Sequence, residues 1–143
     1  MKKIPDGFVP KSGAGPFADV NGPLFIRHTD NALGFEVRRE HCNPISSCHG
    51  GWLGAFLDMQ MPLVAILEND IRDRFLLTVS LSLDFLAPAT VGAWVEGRAT
   101  VLRTTKSLVF IQGLVSSSNV LLMRGSGVYK IAENSRNCLF DPA

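Results

Sequence analysis

The sequence predicts an α+β domain in which one curved antiparallel sheet wraps around one long central helix. Three observations carry this prediction. Residues 50–67, "GGWLGAFLDMQMPLVAIL", form the longest apolar run, enough for about five helical turns. Beyond residue 75 the chain falls into segments that alternate apolar and polar residues, the period of a strand with one buried face. Turns too short for a crossover helix join those segments, so neighbouring strands run antiparallel. A helix that is apolar nearly all round must be covered on most sides. A curved sheet does this economically.

Length and composition set the frame. A chain of 143 residues, 46% hydrophobic and 19% charged, suits one globular domain with a real core. Its formal net charge of +1 lacks the basic excess of a surface that tracks nucleic-acid phosphates. Three cysteines, Cys42, Cys48 and Cys138, show no CxxC spacing and do not form a secreted disulfide framework. The N-terminus begins with lysines but has no apolar run of a signal peptide, so the expected compartment is the cytoplasm. The run at 50–67 raises the question of a membrane span. Asp58 and Gln60 within it, and the lack of a flanking Lys/Arg cluster, favour a helix buried inside the protein.

Residues 1–20, interrupted by Pro5, Pro10 and Pro16, read as an irregular lead-in. "GPLFIRHT" and "GFEVRRE" read as two strands around a turn at "DNAL". A loop follows, then the helix to about Leu67 and a charged exit at "ENDIRDR". In residues 76–86, Leu77, Val79, Leu81, Leu83 and Phe85 face one way. Thr78, Ser80, Ser82 and Asp84 face the other. "AWVEGRATVLR", "LVFIQGLVS" and "VLLMRGSGVYKI" supply three more strands. The folded domain is expected over 21–132, with a loose tail over 133–143.

The loop "HCNPISSCHGG", residues 41–51, carries the chemistry. His41, Cys42, Cys48 and His49 lie within nine residues and are zinc-type side chains. Cys42 and Cys48 are six apart, unlike a tight zinc knuckle, and the adjacent His41 and Cys42 tend to point to opposite faces. No metal site is expected. Gly50 and Gly51 instead begin the helix. The first N–H groups of a helix have no internal partners and sit at the positive end of its dipole. Bare glycine backbone there can hold a developing oxyanion, or the pair can simply permit close packing.

Asp58 is the only ionisable residue between His49 and Glu68. A lone carboxylate in an apolar helix is costly unless paired or solvated, which marks it as a candidate functional group. Pro62, four residues on, removes the hydrogen bond that the Asp58 carbonyl expects. The helix is therefore expected to kink or end near the carboxylate.

Asn43, His49-Gly50-Gly51 and Asp58, followed by the strand that ends in "DFLAPA", complete a recognisable pattern. It resembles the hotdog-fold acyl-CoA thioesterases, in the branch of phenylacetate-pathway and 4-hydroxybenzoyl-CoA thioesterases, over about residues 20–132. The resemblance implies hydrolysis of acyl-CoA to free acid and CoA, with no cofactor beyond the CoA of the substrate. It implies that the Gly50 N–H binds the thioester oxygen and that Asp58 attacks directly or activates water. Asn43 would place the water or the thioester. Thr78 would orient water beside the carboxylate, although Ser80 and Ser82 share its expected face. His49 would hold the loop. Gly51 would border the substrate, and Trp52, Phe56 and Met59 are candidates to line the acyl channel, although as residues of a buried helix they fit the core better. Arg103, Lys106, Arg124 and Lys130 are candidates to meet the CoA phosphates, although any one of them fits an ordinary solvated charge as well or better. The resemblance further implies a dimer with sites shared between chains, or a dimer of dimers.

Two other functions compete: a non-catalytic acyl-CoA binding or sensing domain on the same fold, and a hotdog dehydratase or hydratase. Asn43 and Asp58 together favour hydrolysis over sensing. The HGG setting of His49 fits a thioesterase better than a dehydratase.

Overall fold

The computed structural model describes residues 4–132, so the expected tail over 133–143, with Cys138, lies outside the described residues. Seven strands form one sheet: β1 (Phe8–Pro10), β2 (Phe25–Arg27), β3 (Ala32–Glu36), β4 (Leu76–Phe85), β5 (Trp94–Thr104), β6 (Leu108–Ser117) and β7 (Val120–Ile131). Their spatial order is β1-β2-β3-β5-β6-β7-β4, and every neighbouring pair is antiparallel. A short helix, α1 (Pro16–Asn21), lies between β1 and β2. The long helix, α2 (Gly50–Glu68), carries the chain from β3 to the far edge of the sheet at β4.

The strands from β5 onward fall within a residue or two of their expected places. Each is long enough for its alternation to be read, and each joins the next by a short turn. Between β6 and β7 only Ser118 and Asn119 intervene, both with positive φ, the backbone that a two-residue hairpin requires. Along β5, Trp94, Glu96, Arg98 and Thr100 share the outer face, and Val95 and Gly97 between them are buried.

The N-terminal half differs more. The lead-in is not irregular throughout: it supplies β1 as an edge strand and α1, and the Lys11 N–H bonds the Leu24 carbonyl at 2.8 Å. Three residues ending in proline are too few to show a period. Ala32 and Leu33, read as part of the turn, are already paired in β3. Nor does α2 end near Asp58, for it continues through Pro62 to Glu68. Packing outweighs the missing bond: Phe56, Leu57, Met61 and Ala65 on either side of it are fully buried. At about 1.5–3 kcal/mol for each large side chain, that burial matches or exceeds the ~3 kcal/mol cost of an internal proline. Gln60, buried beside them, accepts from the Leu33 N–H and donates to the Asn31 carbonyl, which ties α2 to the β2–β3 turn.

Candidate active site

The loop before α2 is held by local bonds. Cys42 and Cys48 face each other across an isolated antiparallel bridge, flanked by bonds from Asn43 N–H to Ser47 C=O and from His49 N–H to His41 C=O. Asn43 Oδ1 accepts from the Ile45 and Ser47 N–H groups at 3.1 Å each, so the side chain shapes its own loop. Both nitrogens of the buried His41 are engaged. Nδ1 accepts from the Arg38 N–H at 3.0 Å, and Nε2 donates to the Asn21 carbonyl at 2.7 Å. The ring stacks on Trp52 at 4.9 Å, and burial lowers its pKa. Burial, then the nearness of Cys42, pushes the Cys48 thiol up to about 12. Among the described residues, no group of three or more His, Cys, Asp or Glu side chains is arranged to hold a metal ion.

His49 caps α2. Its Nδ1 accepts from the Gly51 N–H at 2.8 Å, and its carbonyl accepts from Trp52 and Leu53. No acceptor for the Gly50 N–H is found among the described residues. The cap therefore distinguishes the two glycines: Gly51's donor is occupied, and Gly50's is open at the positive end of the helix.

From Gly50 the helix runs beside β4 along an i, i+4, i+8 stripe. A Cβ on Gly50 would meet the Phe85 ring at 3.2 Å, and one on Gly54 would meet Leu83 at 2.9 Å. One turn further, Asp58 meets Thr78, whose Oγ1 lies 2.9 Å from Oδ1 and 3.1 Å from Oδ2. The Tyr129 hydroxyl donates to Oδ1 at 2.8 Å.

Thr78 reaches Asp58 through a break in the alternation of β4. The ladder pairs Thr78 with Tyr129 but Ser80 with Val128, so Val79 is an extra residue in a bulge. Tyr129, Gly127, Gly125 and Met123 share one face of β7. Their partners Thr78, Leu81, Leu83 and Phe85 share the corresponding face of β4. The expectation that Thr78 lies with Ser80 and Ser82, away from the leucines, is thus corrected. The bulge turns Thr78 toward the helix and leaves both serines on the other face.

Asp58 borders two hollows. One, of about 480 Å³, is lined by Leu24, Leu33, Met59, Leu63, Ile66 and Leu76, with Lys11, Gly13 and Ala14 also in its wall and Thr78 beside the carboxylate. The other is a shallow groove along Gly50, Gly51, Gly54 and Ala55 toward Leu83 and Phe85. Trp52 lines neither of them. It is buried among Phe35, His41 and the rest of the core, and Phe56 is fully buried beside Phe35.

The four basic candidates are divided. Lys130 pairs with Leu108 on β6, Lys106 lies in the adjoining turn and Arg103 pairs with Phe110, which gathers three cations at the end of the sheet level with Thr78. Arg124 is about 20 Å away along β7, bonded to Asp84 at 2.8 Å. Sequence reasoning missed Tyr129. The alternation of Gly125 and Gly127 with the tyrosine signals that they share a face, but nothing local says that this face meets Asp58.

Known proteins show the same architecture. The model of the family described as "Thioesterase superfamily" matches residues 46–123, just over half of the chain. A Pseudomonas aeruginosa protein named "Putative esterase PA0474" is 28% identical, over 92% of this chain and 99% of its own length. Among solved structures, a mutant of the phenylacetic acid degradation protein PaaI from Thermus thermophilus superposes with a TM-score of 0.71 at 24% identity, covering 81% of this chain and 98% of that one. The Streptococcus mutans UA159 protein smu.793, solved bound to acetyl CoA, gives a TM-score of 0.65 at 14% identity over 73% and 82% of the two chains. The seven-stranded sheet around a single long helix is the hotdog fold. With its helix start, Asp58 and β4 all inside the matched segment, the chain belongs to the thioesterase superfamily.

Proposed function

We propose that this chain hydrolyses acyl-CoA thioesters, as in the phenylacetate-pathway and 4-hydroxybenzoyl-CoA branch, at sites that two copies of the chain complete together. One observation carries the shared site. Gly50 and Asp58 lie on one stripe of one rigid helix, eight residues and therefore about 12 Å apart along its axis. A thioester carbonyl cannot lie within ~3 Å of both the donor and the carboxylate of the same chain. A second copy can bring its Gly50 to this chain's Asp58. The edge strand β4 favours such a partner. It has ten residues, its outer edge has no neighbouring strand among the described residues, and Leu77, Val79 and Phe85 are 49%, 60% and 54% exposed. A long apolar edge of this kind is a template for pairing.

At the joined site, Asp58 takes a proton from water as the water oxygen bonds to the carbonyl carbon. Alternatively, an Asp58 oxygen bonds to that carbon and water opens the resulting anhydride. Either route places negative charge on the carbonyl oxygen, which the open Gly50 N–H receives, and either expels CoA as its thiolate. The apolar hollow beside Asp58 suits the acyl group. Arg103, Lys106 and Lys130 suit the phosphates, Asn43 keeps its amide nitrogen for the substrate, and the cytoplasm supplies acyl-CoA. The binding of acetyl CoA by the similar Streptococcus mutans protein supports CoA as the carrier.

The test is a panel of acyl-CoA esters followed by free-thiol release. The parent should hydrolyse apolar acyl esters, and Asp58→Asn should lose turnover while still binding them. Equal turnover by parent and variant refutes Asp58. Binding without turnover by the parent makes the chain an acyl-CoA binding module instead.

A further inference from the structure

Tyr129 is the single tyrosine of the chain. Its ring is fully buried in the main core, and its hydroxyl ends 2.8 Å from Asp58 Oδ1. A buried phenol needs a partner for its O–H, and here the partner is the carboxylate. Two features aim the ring. Tyr129 stands directly opposite Thr78 in the β4–β7 ladder, so both side chains approach α2 from the same side of the sheet. On that face Gly127 precedes it by two residues, and a Cβ at Gly127 would run into the Tyr129 ring. Glycine there lets the ring lie along the sheet toward Asp58.

We infer that Tyr129 is a positioning residue, which pins Asp58 Oδ1 on the buried side so that Oδ2 is the oxygen presented to water or substrate. The inference rests on Asp58 being the reacting carboxylate, as proposed above.

Proton accounting supports the division of labour. Thr78, exposed at the mouth of the site, has one hydroxyl proton and lies within reach of both Asp58 oxygens. Tyr129 has one proton and reaches Oδ1 alone. With Oδ1 served from below, Thr78 is free to donate to Oδ2 or to accept from a water at the mouth. Burial, and then the bond to Asp58, pushes the Tyr129 phenol well above the ordinary tyrosine range. It therefore remains a donor throughout the working range and takes no part in proton transfer.

Tyr129→Phe keeps the ring and removes only the oxygen. In the thioester assay, kcat should fall on the order of tenfold to a hundredfold, the range set by hydrogen bonds to charged groups. KM should stay within about twofold, because the lost contact acts on the carboxylate rather than on the substrate. A folded variant with parental kcat, or one whose loss falls on KM instead, overturns the inference. A second measurement needs no turnover. Protein labelled with 13C at the tyrosine Cζ gives one NMR resonance, which should move as carboxylates titrate, and that movement should vanish in Asp58→Asn. A resonance indifferent to both overturns the inference even if Tyr129→Phe fails to fold. An inactive parent whose tyrosine resonance does follow Asp58 overturns the proposed function, and Tyr129's catalytic part with it, while leaving the contact in place.

Discussion

His49 holds Gly51 through a bond that spans two residues, whereas Asp58 is held by Thr78 and Tyr129, twenty and seventy-one residues away. At the start of α2, capping, turn formation and the open Gly50 N–H arise within 41–53, from backbone groups and their nearest side chains. At its middle, nothing local supports the carboxylate. A bulged edge strand and the core strand beside it must both be in place first. The difference teaches that the donor half of the site is built by helix-start chemistry and the carboxylate half by the register of the sheet. Substitutions in the two halves should therefore fail in different ways.

The largest effect is expected where the donor half can be removed alone. Gly50→Pro deletes one N–H and little else. Proline is tolerated at the first helical position, and His49, with φ −63 and ψ 133, already has the extended backbone that precedes a proline. The Phe85 ring must give slightly. Hydrolysis should fall about a hundredfold to a thousandfold, the usual cost of losing an oxyanion donor, with the melting temperature nearly unchanged. Parental turnover in this variant would mean that the Gly50 donor is not used.

Next comes the register. Thr78→Val keeps the shape and removes the hydroxyl, and should slow hydrolysis on the order of tenfold or more. Ser80→Ala, on the other face of the same strand, should leave it unchanged. The reverse result would place the serine face toward the carboxylate and refute the bulge.

Smaller still is the effect of pH on the loop. Burial lowers the His41 pKa in the folded chain, so the unfolded chain binds more protons as pH falls. The stability that His41 contributes is present above the ordinary value of 6.5 and is lost as pH falls from there toward the folded value. Thermal melts should show a decline beginning near that pH, before carboxylates titrate, and His41→Gln should flatten it. A parental melting temperature constant from about pH 7 down to pH 5 would contradict a buried neutral His41. No effect at all is expected from exhaustive chelation, since His41 is engaged at both nitrogens and the described residues hold no group of three or more His, Cys, Asp or Glu side chains arranged for a metal ion. Activity lost on chelation and restored by zinc would revive a metal site.

The same contrast explains what could be read from the residues alone. Asp58 stands out because charge is rare in an apolar helix, and the glycines stand out because a helix start is a local event. The strands from β5 onward are legible because long alternation and short turns leave little choice of register. Residues 1–20 are not, because β1 has three residues and gains its form only by pairing with β2. Thr78 is legible as a residue but not as a direction. One extra residue at Val79 reverses the alternation, and only the pairing with β7 reveals it. Tyr129 carries no local mark, since its meaning lies in a contact across the core.

The joining of the two halves across a boundary between chains is tested most directly by complementation. Gly50→Pro and Asp58→Asn homodimers each have two damaged sites. A mixed dimer collects both lesions in one site and leaves the other intact. Random co-assembly makes about half the dimers mixed, each with one native site of two. Co-expression should therefore restore roughly a quarter of parental activity. Verified mixed dimers no more active than the two variants alone would show that Gly50 and Asp58 do not meet across chains.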